Sequence, residues 1–386
     1  MPRCCLPRSR RTSSRSELPD LSPLSPALTQ TTASCDVAVV GGGIIGRTAA
    51  WHLQRCGHRV TLIDAANPQG GSHAALGLLM AQVFHRASGR AWRLRQTSLA
   101  LWERWVAELQ SLGHPLQLNR GLLLLAANPE ELTRQQALCE ARQAMGLPFE
   151  LWGPGQLADL APGLPAATLG GLWSAADGQI DPQPLLAALL HEAQRLDARV
   201  LNTRVQALQP IAGGQWQLQL EHAEPLQCAA VVVCAGYGAA ELLQPLGHRV
   251  PLAPVLGQAL ELGLEPSDAA TAWQGPWPAV AVWQGINLVP RPGGQLWLGA
   301  TLEPGLSANP QALQDMATLN GHAPDWLQRA RVVRQWQGLR VQPLGRGAPW
   351  LEVLAPGLLL AGCHYRNGLL LAPATATWIA DALKAG

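Results

Sequence analysis

Cys35-Asp-Val-Ala-Val-Val40 is a short, almost unbroken apolar run, the pattern of a strand buried on both faces. Arg47 to Arg55 follows with Ala49, Ala50 and Leu53 spaced for the packed face of a helix. A second strand run, Arg59-Val-Thr-Leu-Ile-Asp64, comes next, and a third, Ala229-Ala-Val-Val-Val-Cys-Ala-Gly236, lies far downstream. Two longer stretches have helical period. Leu185 to Leu196 carries Leu185, Leu186, Leu189 and Leu190 on one stripe, and Trp92 to Gln110 carries Leu99, Trp102, Val106 and Leu109. The runs Gly121–Ala127 and Val353–Ala361 fall far short of the ~20 apolar residues of a membrane span. No repeat of solenoid period is visible.

The link between the first strand and the first helix carries chemistry. Gly41-Gly-Gly-Ile-Ile-Gly46 matches GxGxxG on Gly41, Gly43 and Gly46, and Asp64 closes the following strand. In that setting Gly41 permits the tight turn, Gly43 lets backbone approach a pyrophosphate, and Gly46 lets helix and strand pack closely. Amides at the helix start, around Ile44 and Ile45, bind phosphate, and Asp64 accepts from ribose hydroxyls. No second GxGxxG follows. Gly70-Gly-Ser-His-Ala-Ala-Leu-Gly-Leu-Leu79 has the small residues of backbone lying against a ligand, with Ser72, Ala74, Gly77 and Leu78 as candidates. The distant strand ending in Ala235-Gly236 makes the binding unit discontinuous, which favours a flavoprotein over a compact nicotinamide module.

The chain has 386 residues, 48% of them hydrophobic and 14% charged, enough for one large domain or two interlocked ones. A net charge of +2 gives no global case for nucleic acid. Lys384 is the only lysine, which argues against Schiff-base or pyridoxal phosphate chemistry. The eight cysteines include no CxxC pair, so neither a zinc ribbon nor a thioredoxin-like site is indicated, and a reducing compartment is the default. Residues 1–34 are rich in Ser, Pro, Thr and Arg and lack an apolar core. They read as a disordered tail, with an organellar transit peptide or an early start codon as the other readings.

Further motifs appear in order: Asp177-Gly-Gln-Ile-Asp-Pro182, Leu288-Val-Pro-Arg-Pro292, Leu298-Gly-Ala-Thr301, Trp336-Gln-Gly-Leu-Arg340 and His364-Tyr-Arg-Asn-Gly-Leu-Leu-Leu-Ala-Pro-Ala-Thr375. With the glycine-rich fingerprint, they resemble the FAD-dependent D-amino-acid oxidase superfamily over residues 35–386. The run from His364 is similar to that of the glycine oxidases of thiamine biosynthesis.

The resemblance implies an α/β, two-domain flavoprotein. A doubly wound, Rossmann-like FAD domain would comprise residues 35–115, 175–250 and 336–386. A mixed, largely antiparallel α+β substrate domain would comprise 116–174 and 251–335. FAD would be held non-covalently, with Asn367, Gly368, Leu369 and Leu370 adding to the glycine-rich loop. The implied reaction takes a hydride from the α-carbon of glycine or another small amino acid. Oxygen then reoxidises the flavin to give hydrogen peroxide, and the imine gives glyoxylate and ammonia or feeds the thiazole branch of thiamine synthesis. A homo-oligomer is the family expectation, and the cytoplasm is the expected location, with organellar targeting by residues 1–34 as the other reading.

Within this resemblance Arg340 takes the place of the guanidinium that clamps the substrate carboxylate, and Arg366 that of the second active-site arginine. The planar fork of an arginine suits a carboxylate bidentately. Tyr365, Asn287 and Leu302 fall in the substrate pocket. Asn367-Gly368 signals a helix start whose positive end favours an anionic reduced ring. No general base is needed, so His364 is read as structural. Four departures stand out: Asn287 replaces a tyrosine, Leu302 a methionine, Val341 a proline, and Cys363 a glycine. The first widens the pocket and leaves room for sarcosine, D-proline or broader D-amino-acid oxidation or dehydrogenation. A flavin-binding subunit without turnover is the lesser alternative. The tryptophan-bearing segment Ala269–Gln284 reads as either a lid or an edge loop.

Overall fold

The structure is a computed structural model that describes residues 34–385. The expectations for the N-terminal tail concern residues that lie, up to 33, outside this range.

Two sheets organise the chain. In the first, five strands run parallel in the order Leu358–Gly362, Ala223–Val233, β1 (Ser34–Val40), β2 (Val60–Asp64) and Arg199–Asn202. Trp350–Ala355 and the hairpin Val205–Ile211 with Gln215–Leu220 add antiparallel strands to it. Burial on both faces explains the unbroken apolar pattern of β1. Val37 and Val39 pack with helix α1 (Ile44–Arg55), while Ala38 and Val40 face Leu208, Trp216 and Leu218 on the other side. Helix α1 begins three residues before the predicted start, because extended Gly43 acts as its N-cap. Helix α2 (Gly89–Ser111) buries Leu99, Trp102, Val106 and Leu109, the expected stripe. The helix Pro182–Arg195 starts on Asp181, whose carboxylate accepts from the amide of Gln183 at 3.0 Å.

The second sheet has ten strands. Its longest pairing joins Leu252–Gly263 to Arg331–Pro343 antiparallel, with Gly257 opposite Gly338 and Val255 opposite Arg340. Two apolar clusters cover its faces, one around Trp283 and Leu288, the other around Leu122 and Phe149. The strand Gly170–Ile180 runs through the segment boundary expected at 175, and Arg331–Pro343 through that expected at 336. Both belong whole to the second sheet, since their cross-strand pairing continues past those points. The stretch Ala269–Gln284 folds down onto this sheet. Trp273 and Trp277 meet edge to face at 4.9 Å, and Trp283 is fully buried in the strand Val280–Trp283.

Candidate active site

The glycine-rich loop is a tight cradle. Gly41 has φ +109°, and a Cβ there would lie 2.5 Å from the carbonyl oxygen of Cys234 and 3.0 Å from the Cα of Ala235. A Cβ on Gly46 would lie 1.8 Å from the carbonyl oxygen of Gly41, so helix and strand approach as the motif requires. Gly42 lies under the Asp64 carboxylate, 2.5 Å from a built Cβ, which places the acid at the loop. Gly43, the N-cap of α1, has no side chain to bond the helix start. Instead Ser72 reaches in from another segment and accepts from the amide of Ile44 at 2.9 Å. Arg47 ties the loop down by donating from Nε to Gly42 O at 2.7 Å and from Nη1 to Leu186 O at 3.0 Å. A glycine-lined helix start beside an acid that ends β2 fits the pyrophosphate and ribose of a dinucleotide.

The segment Gly70–Leu79 connects this cradle to the second sheet. A Cβ on Gly71 would lie 2.6 Å from the carbonyl oxygen of Leu339, and one on Gly338 would lie 2.4 Å from Ala74 Cβ. The Trp336 indole donates to Ala74 O at 3.1 Å. Gly77, at φ +84°, packs against Ile180 with no room for a side chain. Beyond Leu78, the fully buried Asp177 carboxylate accepts from the amides of Ala81, Gln82 and Val83 at 2.6, 2.9 and 2.9 Å, and from Ser174 Oγ at 2.9 Å. Burial raises the pKa of Asp177 and these bonds oppose the rise. The result is a stiff strap that carries Ser72 and packs on Leu339, the neighbour of Arg340, at one end, and is pinned to Ile180 and Asp177 at the other.

Arg340 stands on the strand Arg331–Pro343, its guanidinium lying across Gly257. A Cβ there would come within 2.2 Å of Nη1, so a glycine makes the space. Nη1 donates to Leu256 O at 3.2 Å and Thr301 O at 3.0 Å. Burial and the charge of Arg366 push the Arg340 pKa down, while Tyr365 and Glu303 support the cation. An arginine stays charged through such a shift. Behind it, the buried Glu303 accepts from the Thr301 hydroxyl, from Gln258 Nε2 at 3.0 Å and from the Asn309 amide. Thr301 Oγ1 in turn accepts from the Gln258 amide at 2.7 Å. These bonds outweigh the burial that would raise the pKa of Glu303 and hold it below the usual carboxylate value. Thr301, whose carbonyl carries Arg340, is therefore fixed on its other side.

The chain from Cys363 closes the site. Cys363 and Tyr365 both have φ +55°, so backbone coils tightly around His364. His364 is buried, its Nε2 2.8 Å from Thr375 Oγ1, and burial lowers its pKa to about 3. Burial also pushes the Cys363 thiol up to about 12. Arg366 is exposed, and Gly368 starts the helix Gly368–Ala385 beside Ile44, 3.8 Å from a built Cβ. Tyr365 and Arg366 thus lie within electrostatic reach of Arg340, and the starts of two helices lie side by side.

Other expected residues sit differently. Asn287 is buried, its Nδ2 donating to Gly299 O at 2.7 Å across the strand pair. Leu302 is half exposed. Leu369 and Leu370 are core residues, and the Leu369 carbonyl is taken by Trp102. Thr301, Glu303, Gln258 and Arg47 were not singled out by sequence. Only the burial of an acid in a Gly-Ala-Thr-Leu-Glu run marks Glu303, and burial is not visible in one sequence.

Comparison with known proteins agrees with this geometry. The model of the FAD dependent oxidoreductase family, DAO, matches residues 36–382. The chain is 29% identical over 359 residues to glycine oxidase from Geobacillus kaustophilus, covering 90% of this chain and 93% of that one. It is 32% identical over 369 residues to the bifunctional protein ThiO/ThiG of Synechocystis sp., covering 91% of this chain and spanning about half, 52%, of the relative. The crystal structure of the Geobacillus kaustophilus glycine oxidase superposes with a TM-score of 0.81 at 28% identity, over 92% of this chain and 95% of that one. The match over nearly the whole described chain, which carries the glycine cradle and the half-buried Arg340, makes this protein a member of the FAD-dependent oxidoreductase family to which D-amino-acid oxidases belong.

Proposed function

We propose that the protein oxidises glycine, or an amino acid of similar size, to the imine, with glyoxylate, ammonia and hydrogen peroxide as products. The observation that carries this reading is the fixed Arg340, held on two carbonyls by Nη1 and beside Tyr365 and Arg366. A guanidinium so held presents its remaining N–H donors to a carboxylate. That contact orients the α-carbon, and orientation supplies much of the rate when no proton transfer has to be catalysed. FAD, when bound, supplies the two-electron acceptor that oxygen regenerates. Gly41, Gly43, Gly46, Ser72 and Asp64 would hold its pyrophosphate and ribose. The helix starting at Gly368 adds positive potential where negative charge develops. His364 takes no part as a base, being neutral, buried and bound to Thr375. A cytoplasmic role in the thiazole branch of thiamine synthesis belongs to this reading.

The half-exposed Leu302 and the commitment of Asn287 to Gly299 favour a second reading, in which sarcosine or D-proline is accepted. Oxygen uptake with glycine, sarcosine and D-proline tests both. Peroxide formed in step with oxygen consumed from glycine supports the first reading. Turnover of the larger substrates alone supports the second, and the absence of oxygen uptake with any of the three overturns both.

A further inference from the structure

We propose that His114, His191 and Glu192 form a binding site for a divalent transition cation of the zinc type, which joins the turn after α2 to the helix Pro182–Arg195. The Nε2 of His114 lies 2.8 Å from Glu192 Oε1, and the Nδ1 of His191 lies 3.1 Å from the same oxygen. All three donor atoms lie within 4.8 Å of one another. Two imidazole nitrogens and one carboxylate oxygen are the ligand chemistry of zinc and its neighbours in the first transition row. Zinc bonds of about 2.0–2.1 Å put neighbouring tetrahedral ligands roughly 3.3 Å apart, so the two N···O distances need to grow only by tenths of an ångström, while the two ring nitrogens, within 4.8 Å of each other, close toward the same spacing. Each ring gives up a proton position toward Oε1 and keeps its N–H on the other nitrogen, so two neutral imidazoles remain neutral ligands.

The surroundings prepare the site. The Glu192 side chain is only 2% exposed and cannot turn away to solvent, whereas the His191 side chain is 67% exposed and leaves a coordination position for water. Arg195 Nε holds Glu192 Oε2 at 2.6 Å, which fixes the carboxylate plane and leaves Oε1 as the ligand atom. The same guanidinium repels a cation, so affinity is expected below that of a closed four-ligand site. None of the three residues belongs to the flavin or substrate machinery, and His114 is too far along the chain from the other two for spacing to reveal the cluster.

The test is calorimetric titration of the full-length, metal-stripped holoprotein with zinc chloride, repeated on His191→Ala and His114→Ala. The expected result is that wild type binds one zinc equivalent that each variant loses or binds about tenfold or more weakly. The flavin spectrum should stay unchanged throughout. Because His191 is exposed, His191→Ala keeps the test decisive if His114→Ala fails to fold. A wild type that binds no zinc, or zinc binding that persists unchanged in His191→Ala, overturns the proposal.

Discussion

The indole N–H of Trp102 donates at 2.9 Å to the carbonyl of Leu369, the carbonyl that Pro373 leaves without a helical partner. Ser98, one turn earlier on α2, accepts from the Ala374 amide at 3.1 Å. The proline break in the C-terminal helix is thus repaired from α2, and the start of that helix is fixed beside the flavin cradle. Trp102→Phe keeps an aromatic side chain, though a smaller one, and leaves a buried carbonyl unpaired. It should lower stability by about 1–3 kcal/mol, read by urea unfolding, and loosen flavin retention. Unchanged stability would contradict this role.

Gly46→Ala places a methyl group 1.8 Å from the Gly41 carbonyl oxygen. The cradle must open, so the purified variant should be folded but poor in flavin, measured by the absorbance ratio of flavin to protein. A fully yellow variant would show that the loop does not hold the cofactor.

Arg340→Ala should keep FAD while lowering kcat/KM for glycine about tenfold to a hundredfold, because a charge-assisted bond to the carboxylate is lost. Arg340→Lys should recover little of it, since a lysine cannot keep two carbonyls and a carboxylate in one plane. Steady-state kinetics checks both, and wild-type behaviour in either refutes the clamp.

His364 adds a pH dependence. Its pKa falls from 6.5 to about 3 on folding, because burial disfavours the cation. Between these values the unfolded chain takes up a proton that the native one refuses. Its contribution to stability is therefore complete above about pH 6.5 and is lost as pH falls toward 3, with a slope of up to about 1.4 kcal/mol per pH unit. His364→Gln should flatten that part of the stability profile. An equal slope in both proteins would count against it.

The sequence made the nucleotide half legible because its signals are local. Gly41, Gly43, Gly46 and Asp64 lie within one strand–helix–strand unit, and the apolar runs of β1 and β2 follow directly from burial on both faces. The stripes of α2 and of the helix Pro182–Arg195 were visible for the same reason. The support of Arg340 was not visible, since Leu256, Thr301 and Glu303 reach it only through pairing across strands distant in sequence. Asn287 illustrates a further limit. Its place in the motif order suggests a widened pocket, and only the strand register, which sets it opposite Gly299, reveals that its amide is spent on a carbonyl. The segment ends at 175 and 336 fell inside strands because the motifs there mark ligand-facing residues and not sheet edges.

Anaerobic titration of the purified flavoprotein with glycine tests the central claim most directly. Bleaching of the flavin band by glycine, lost or shifted to much higher concentration in Arg340→Ala, is the predicted result. A flavin that stays oxidised with glycine, or that bleaches equally well in the variant, would contradict the account.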